Sequence, residues 1–343
     1  MRKRLFSILQ FCIFFGLGIF LVWWSIHKMN NKNWEDCKAS MQSARYLLLI
    51  PVFLIITLSH ISRAIRWKIL MAPMGYNPSL INTFCAVMVG YLANLAFPRL
   101  GEVLKCTILG KYEKVPPDKL IGTILVERAV DVVSLAIVFV IALISQADII
   151  GAYAKQTIND KFLSGTKEYL LIKFLILIAV ITLIYFLFKF LFRRFGHTVF
   201  VNKIKNIVTG IGIGLSTIKV LKNKWTFIFH SILIWSCYAA GTYIGFFAIK
   251  ETSGLPFAAA FPVLAFASIG MILTPGGIGA YPLFIMQVMA LYDIEEGFGF
   301  ANGTLQWAAQ FMIILVVGFI SLLLLPPLYN KKIKHAEHTI NTG

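Results

Sequence analysis

Residues 91–106 read YLANLAFPRLGEVLKC, a stretch set between two apolar runs in a chain dominated by such runs. It holds Asn94, Pro98, Arg99, Gly101, Glu102 and Lys105. A helix cannot pass through Pro98 without losing a backbone hydrogen bond, and Gly101 weakens it further. In hydrocarbon such a loss is tolerated only where protein or a water-filled cavity surrounds the break. The stretch therefore predicts a re-entrant hairpin over about residues 79–109, broken near FPRLGE. A second apolar stretch, about 257–292, is broken by TPGGIGAYP, with Pro275, Gly276, Gly277 and Gly279 making the break and Tyr281 following it. It predicts a second hairpin of the same kind.

Composition sets the environment of both. The chain has 343 residues, of which 58% are hydrophobic and 14% charged, and its mean hydropathy is +0.79. That is far more apolar surface than a water-soluble core needs, so the chain is read as an integral membrane protein. Its net charge of +17 does not point to nucleic acid, because the basic residues sit mainly at the ends of apolar runs, where lipid headgroups lie. The five cysteines form no CxxC pair and the six histidines show no HExxH spacing, so no disulfide framework, metal or other cofactor is indicated.

A membrane-crossing helix needs roughly 20 apolar residues, which selects spans near 5–26, 46–62, 120–145, 169–192, 225–249 and 298–325. With the N-terminus inside, most of the 32 Lys and Arg residues fall on the cytoplasmic side, as the positive-inside rule requires. Both termini are then cytoplasmic, with residues 331–343 a short tail on a single domain of residues 1–330. The order span, hairpin, span occurs twice with opposite orientation, the pattern of an inverted-topology repeat. The predicted fold is an all-α polytopic membrane protein: six full transmembrane helices plus two re-entrant hairpins. The basic stretch 193–224 is expected to lie along the cytoplasmic surface; its GIGIG lacks the GxGxxG spacing and the βαβ setting of a dinucleotide site.

The span DKLIGTILVERAVDVVSLAIVFVIALI carries Glu127, Arg128 and Asp131 about two turns inside an otherwise apolar helix. Spacings of three and four residues allow these charges to pair along one helix. Each costs about 2.5–3.5 kcal/mol at a helix centre, so each must face protein or water. Two readings stand: an internal ion pair that fixes packing, or a polar lining for a headgroup or a proton pathway; the hairpin charges Arg99, Glu102 and Lys105 can pair with this cluster or hold a headgroup in a shared polar cavity. In the first hairpin, Arg99 presents a planar fork suited to phosphate oxygens and Lys105 a mobile point charge. SRAIRW ends the second predicted span with Arg63 and Arg66, which read either as boundary anchors or as phosphate contacts. The candidates for holding a lipid headgroup are Arg63, Arg66, Asn94, Arg99 and Lys105. Glu102, Glu127, Arg128 and Asp131 are the candidates for a charged network. No nucleophile or metal constellation accompanies them, so no enzymatic activity is expected.

Four ordered motifs, SRAIRW, NLAFPRLGEVLK, VERAVD and TPGGIGAY, make the chain resemble the flippase-like transmembrane family typified by the membrane portion of lysylphosphatidylglycerol synthase, the multiple peptide resistance factor. The resemblance covers about residues 5–325. It implies two re-entrant hairpins in a helical bundle and a role in lipid translocation or recognition, with an anionic phospholipid or a polyprenyl phosphate as the bound lipid. On that reading the chain is a bacterial inner-membrane flippase-like protein; the alternative is a non-transporting accessory subunit for envelope lipid or glycan biosynthesis. An envelope-biosynthesis enzyme and a homo-oligomer stay open as partners. Relatives often carry Glu where this chain has Tyr281, and an arginine on the last span where it has Gln306 or Gln310. The chain ends about 18 residues after its last predicted span, so the soluble aminoacyltransferase domain, and with it lysyl transfer, is expected to be absent.

Overall fold

A computed structural model describes residues 2–97, 100–146, 218–219 and 221–341. Pro98, Arg99 and the predicted span 169–192 lie outside them, as does most of the basic stretch 193–224. Among the described residues every regular element is helical. In chain order these are α1 (Arg2–Lys28), α2 (Asn31–Ser43), α3 (Leu49–Met71), α4 (Leu80–Ala96), α5 (Leu100–Glu113), α6 (Pro117–Ser145), α7 (Lys224–Phe246), α8 (Ala260–Leu273), α9 (Ala280–Ala290) and α10 (Glu296–Asn341). Among the described residues, four segments are long and apolar enough to cross a membrane: Tyr46–Met74, Pro117–Ser145, Lys224–Phe246 and Glu296–Leu325. α1 contains the run read as the first span.

Two expectations change. The second span does not end at residue 62, because α3 runs on to Met71 and carries Arg63 and Arg66 inside the helix. The polar stretch after α1, read only as an outside connection, forms α2, whose start is capped by the Asn30 side chain accepting from the Asn33 N–H at 2.7 Å. α2 buries Cys37 with Met29, Leu283, Met286 and Phe300, and Lys32 pairs with Glu295 at its edge.

Both predicted breaks are present, by different means. Ahead of Pro98 the backbone turns extended at Phe97 (φ −139°, ψ 116°), the conformation a following proline imposes. The expectation that Gly101 makes this break is corrected: Gly101 lies within α5. Its side-chain-free face is needed for packing, since a Cβ there would lie 1.8 Å from the Gly90 carbonyl oxygen. α4 and α5 are therefore antiparallel limbs in backbone contact, pinned at their far ends by Asn82 donating to Glu113. At the second break Thr274 is extended before Pro275, and Gly276, Gly277 and Gly279 all take positive φ, which only glycine adopts at little cost. Gly279 also meets α1, for a Cβ there would sit 2.4 Å from the Gly18 carbonyl oxygen. The two tips touch: a Cβ on Gly276 would lie 3.2 Å from Cδ2 of Leu95.

The apolar core is divided accordingly. Trp67, Met71, Val87, Cys106, Leu109 and Leu120 pack the first hairpin between α3 and α6. Phe246, Val263, Tyr281, Ile285 and Met289 pack the second against α7.

Candidate functional site

α3, α5 and α6 converge on the charged residues, and their sequences explain the geometry. Arg63 and Arg66 share a broad face of α3, Glu127 and Asp131 a face of α6, and Glu102 and Lys105 a face of α5. The charges pair between helices: the hairpin residues Glu102 and Lys105 meet the α6 cluster as expected, and among the described residues no pair runs along α6 itself. Arg63 Nη1 donates to Asp131 Oδ2 at 2.5 Å and Arg66 Nη2 to Asp131 Oδ1 at 2.7 Å. Lys105 Nζ donates to Glu127 Oε2 at 2.6 Å. Arg128 reaches outward to Glu102 Oε1 at 2.7 Å. One aspartate thus bridges two arginines of α3, while α5 is tied to α6 by two pairs of opposite polarity.

Burial differs sharply within this network. The Arg66 side chain is wholly buried, so its sequence reading as a boundary anchor is corrected: its charge is answered inside the protein. Glu127 is 4% exposed, whereas Arg128 is 53% exposed. Breaking one inner pair would leave a desolvated charge, at a cost of about 3–5 kcal/mol. Three polar atoms of the inner network, Arg63 Nε, Arg66 Nε and Glu127 Oε1, are buried without a hydrogen-bond partner, although Glu127 Oε1 lies 3.9 Å from Arg66 Nη2. Within this network four cations face three carboxylates, an excess of one positive charge.

Neighbouring groups that the sequence reading passed over hold these charges in place. Lys105 Nζ lies 4.4 Å from the centre of the Trp67 ring, and Trp67 in turn donates to Thr123 Oγ1 at 2.8 Å. Arg63 also reaches the Tyr238 hydroxyl at 3.4 Å and Arg66 the Ser231 hydroxyl at 3.3 Å. Buried His60 packs its ring on Tyr91, centre to centre 5.2 Å. The available signal was the polar series Ser59, His60, Ser62 just ahead of Arg63 in an apolar helix.

Arg63, Asn94, Glu102, Lys105, Glu127, Arg128 and Asp131 line a single cleft, together with Tyr91 and the Gly90–Gly101 contact. The free volume inside is about 20 Å³, the room needed by roughly one water molecule. Asn94 is partly committed already: its Oδ1 accepts the Gly101 N–H at 2.8 Å and satisfies the first turn of α5. Of the proposed headgroup residues, the fold brings together Arg63, Arg66, Asn94 and Lys105; Arg99 lies outside the described residues. Among the described residues no group of His, Cys, Asp and Glu is placed to hold a metal ion.

The second hairpin tip has a different chemistry. Trp307 Nε1 donates to the Gly276 carbonyl at 2.7 Å, and Gln310 donates to the Tyr281 hydroxyl at 3.1 Å. Tyr281 lies in α9, beyond the break, and is buried. Gln306 donates to Asn302, itself donating to the Gly245 carbonyl and the Thr252 hydroxyl. The two glutamines therefore complete neutral hydrogen-bonded sets.

An all-helical bundle with several apolar helices long enough to cross a membrane, and with interhelical ion pairs buried inside it, defines a multi-pass membrane protein. The lysylphosphatidylglycerol synthase TM region family matches residues 7–318, and the chain belongs to that family. It is also 21% identical over 306 residues to a UPF0104 membrane protein of Methanocaldococcus jannaschii, covering 83% of this chain and 86% of that relative. No solved structure matches it.

Proposed function

We propose that the chain binds the anionic phosphate of a membrane lipid in the cleft between α3, α5 and α6 and carries that lipid between leaflets. One observation supports this above the rest: Arg63, Lys105 and Arg128 converge on one cleft inside an apolar bundle, and with Arg66 buried behind Asp131 the network around the cleft holds one more cation than carboxylates. Guanidinium forks and an ammonium suit phosphate oxygens. An anionic phospholipid or a polyprenyl phosphate meets that requirement. Two helix breaks whose tips touch suit a substrate site at mid-depth in an inverted repeat, and the basic-residue distribution favours a cytoplasmic membrane with both termini inside. The role needs no catalytic step, since Glu127 and Asp131 are already engaged as counter-ions.

A second reading has its own support. The cleft is narrow and its cations are paired, which suits a subunit that binds lipid and organises an envelope enzyme without transport. Reconstituted vesicles with a fluorescent anionic lipid and an external dithionite quench separate the two. Transport gives quenching of inner-leaflet label above that of empty vesicles, reduced toward that baseline in Lys105→Gln. Folded protein that moves none of several anionic lipids, yet co-purifies with a stoichiometric enzyme, establishes the accessory role instead.

A further inference from the structure

The reading of the cleft as a headgroup site, on which this inference rests, says nothing of how a lipid reaches it. α5 and α6 both present large apolar side chains outward beside it. Val103 is 60% exposed on α5, and Leu125 and Val132 are 55% and 50% exposed on α6. Leu125, Arg128 and Val132 stand three and four residues apart, on one face of α6. Arg128 therefore interrupts an outward apolar stripe, about three turns into a helix long enough to cross a membrane. By contrast the outward stripe of α10, Val316, Phe319, Ile320 and Leu323, carries no charge. A half-exposed guanidinium on a lipid-facing stripe is out of place unless something polar meets it from that side.

Its surroundings define what that is. The Glu102–Arg128 pair is the outermost of the network, with Glu102 31% exposed, and behind it Lys105, Arg63 and Arg66 become progressively more enclosed. Cations thus lead inward from a rim flanked by apolar side chains, which matches an amphiphile with an anionic head. With room for about one water inside, a phosphate fits only after the rim pair parts. Glu102 occupies on Arg128 the place that a phosphate would take.

We infer that the seam between α5 and α6 is a lateral portal. A phospholipid enters headgroup first from the bilayer, its phosphate replaces Glu102 on Arg128, and its acyl chains stay in the membrane along Val103, Leu125 and Val132. Glu102 is the competitor that keeps the portal shut when no lipid is present.

A photo-reactive side chain placed at Val103 or Leu125, with Leu323 as the reference position, tests this in vesicles of phosphatidylcholine containing a minority of phosphatidylglycerol. Adducts at Val103 and Leu125 should be enriched several-fold in phosphatidylglycerol relative to those at Leu323. Arg128→Gln should abolish the enrichment and Glu102→Gln should raise it, a pair of opposite effects that general loss of folding does not produce. Equal phosphatidylglycerol shares at the three positions overturn the portal. Native mass spectrometry of wild type and Lys105→Gln then tells the two failures apart. If wild type retains phosphatidylglycerol and Lys105→Gln loses it, the portal is wrong and the headgroup site stands. If wild type retains none, the site reading falls, and the portal with it.

Discussion

The two hairpins solve one problem, an apolar helix broken near its middle, with opposite materials. In the first, the returning helix α5 begins with charge, and Glu102 and Lys105 bind it to Arg128 and Glu127 of α6. In the second, the returning helix α9 begins AYPLFIMQ without a charge; its tip is held by positive-φ glycines, by the Trp307 hydrogen bond to Gly276 and by backbone contact with α1. Ion pairs can exchange one partner for a ligand of the same sign, whereas glycine-permitted backbone contact cannot be exchanged for anything. The first hairpin is thus held by exchangeable charge pairs, as the proposed headgroup site requires, and the second by fixed backbone contacts.

The largest effect is expected from Gly101→Val, which forces a side chain into the Gly90 carbonyl and should abolish recovery of folded, monodisperse protein in detergent. Next comes Asp131→Asn, which leaves Arg63 and Arg66 without their shared anion; a loss of about 3–5 kcal/mol is expected in denaturant unfolding. Adding Arg63→Gln should restore part of that loss, because one orphaned charge is then removed. Trp307→Phe deletes the bond to Gly276 and should cost about 1 kcal/mol, with retained lipid unchanged in native mass spectrometry. If that variant loses lipid, the second hairpin is not the inert partner described here. The smallest change in stability belongs to Glu102→Gln, whose half-exposed pair contributes at most about 1 kcal/mol; thermal melting should barely move.

The proline and glycine clusters exposed both hairpins at once, because a break in an apolar run is a local property. Partner choice is not local. The spacing of Glu127, Arg128 and Asp131 allowed pairing along α6, and the nearby hairpin charges offered Glu102 and Lys105 as partners, which they are; the partners of Asp131 come from α3, far away in sequence. Arg66 looked like a boundary anchor for the same reason: the carboxylate that lets it stay buried belongs to another helix. Gly101 stood beside Pro98 and was taken for part of the turn, while its actual neighbour, Gly90, is visible only once the limbs fold back. α2 escaped notice because its polar residues hide a short buried face.

Trp67 offers a consequence of an optical kind. Its indole lies against the Lys105 ammonium and is closed off from solvent, so its emission reports the field of that one cation. In a variant retaining Trp67 but none of the chain's other six tryptophans, the proposed transfer of Lys105 from Glu127 to a lipid phosphate should shift the emission maximum, a readout of the cleft that needs no added dye.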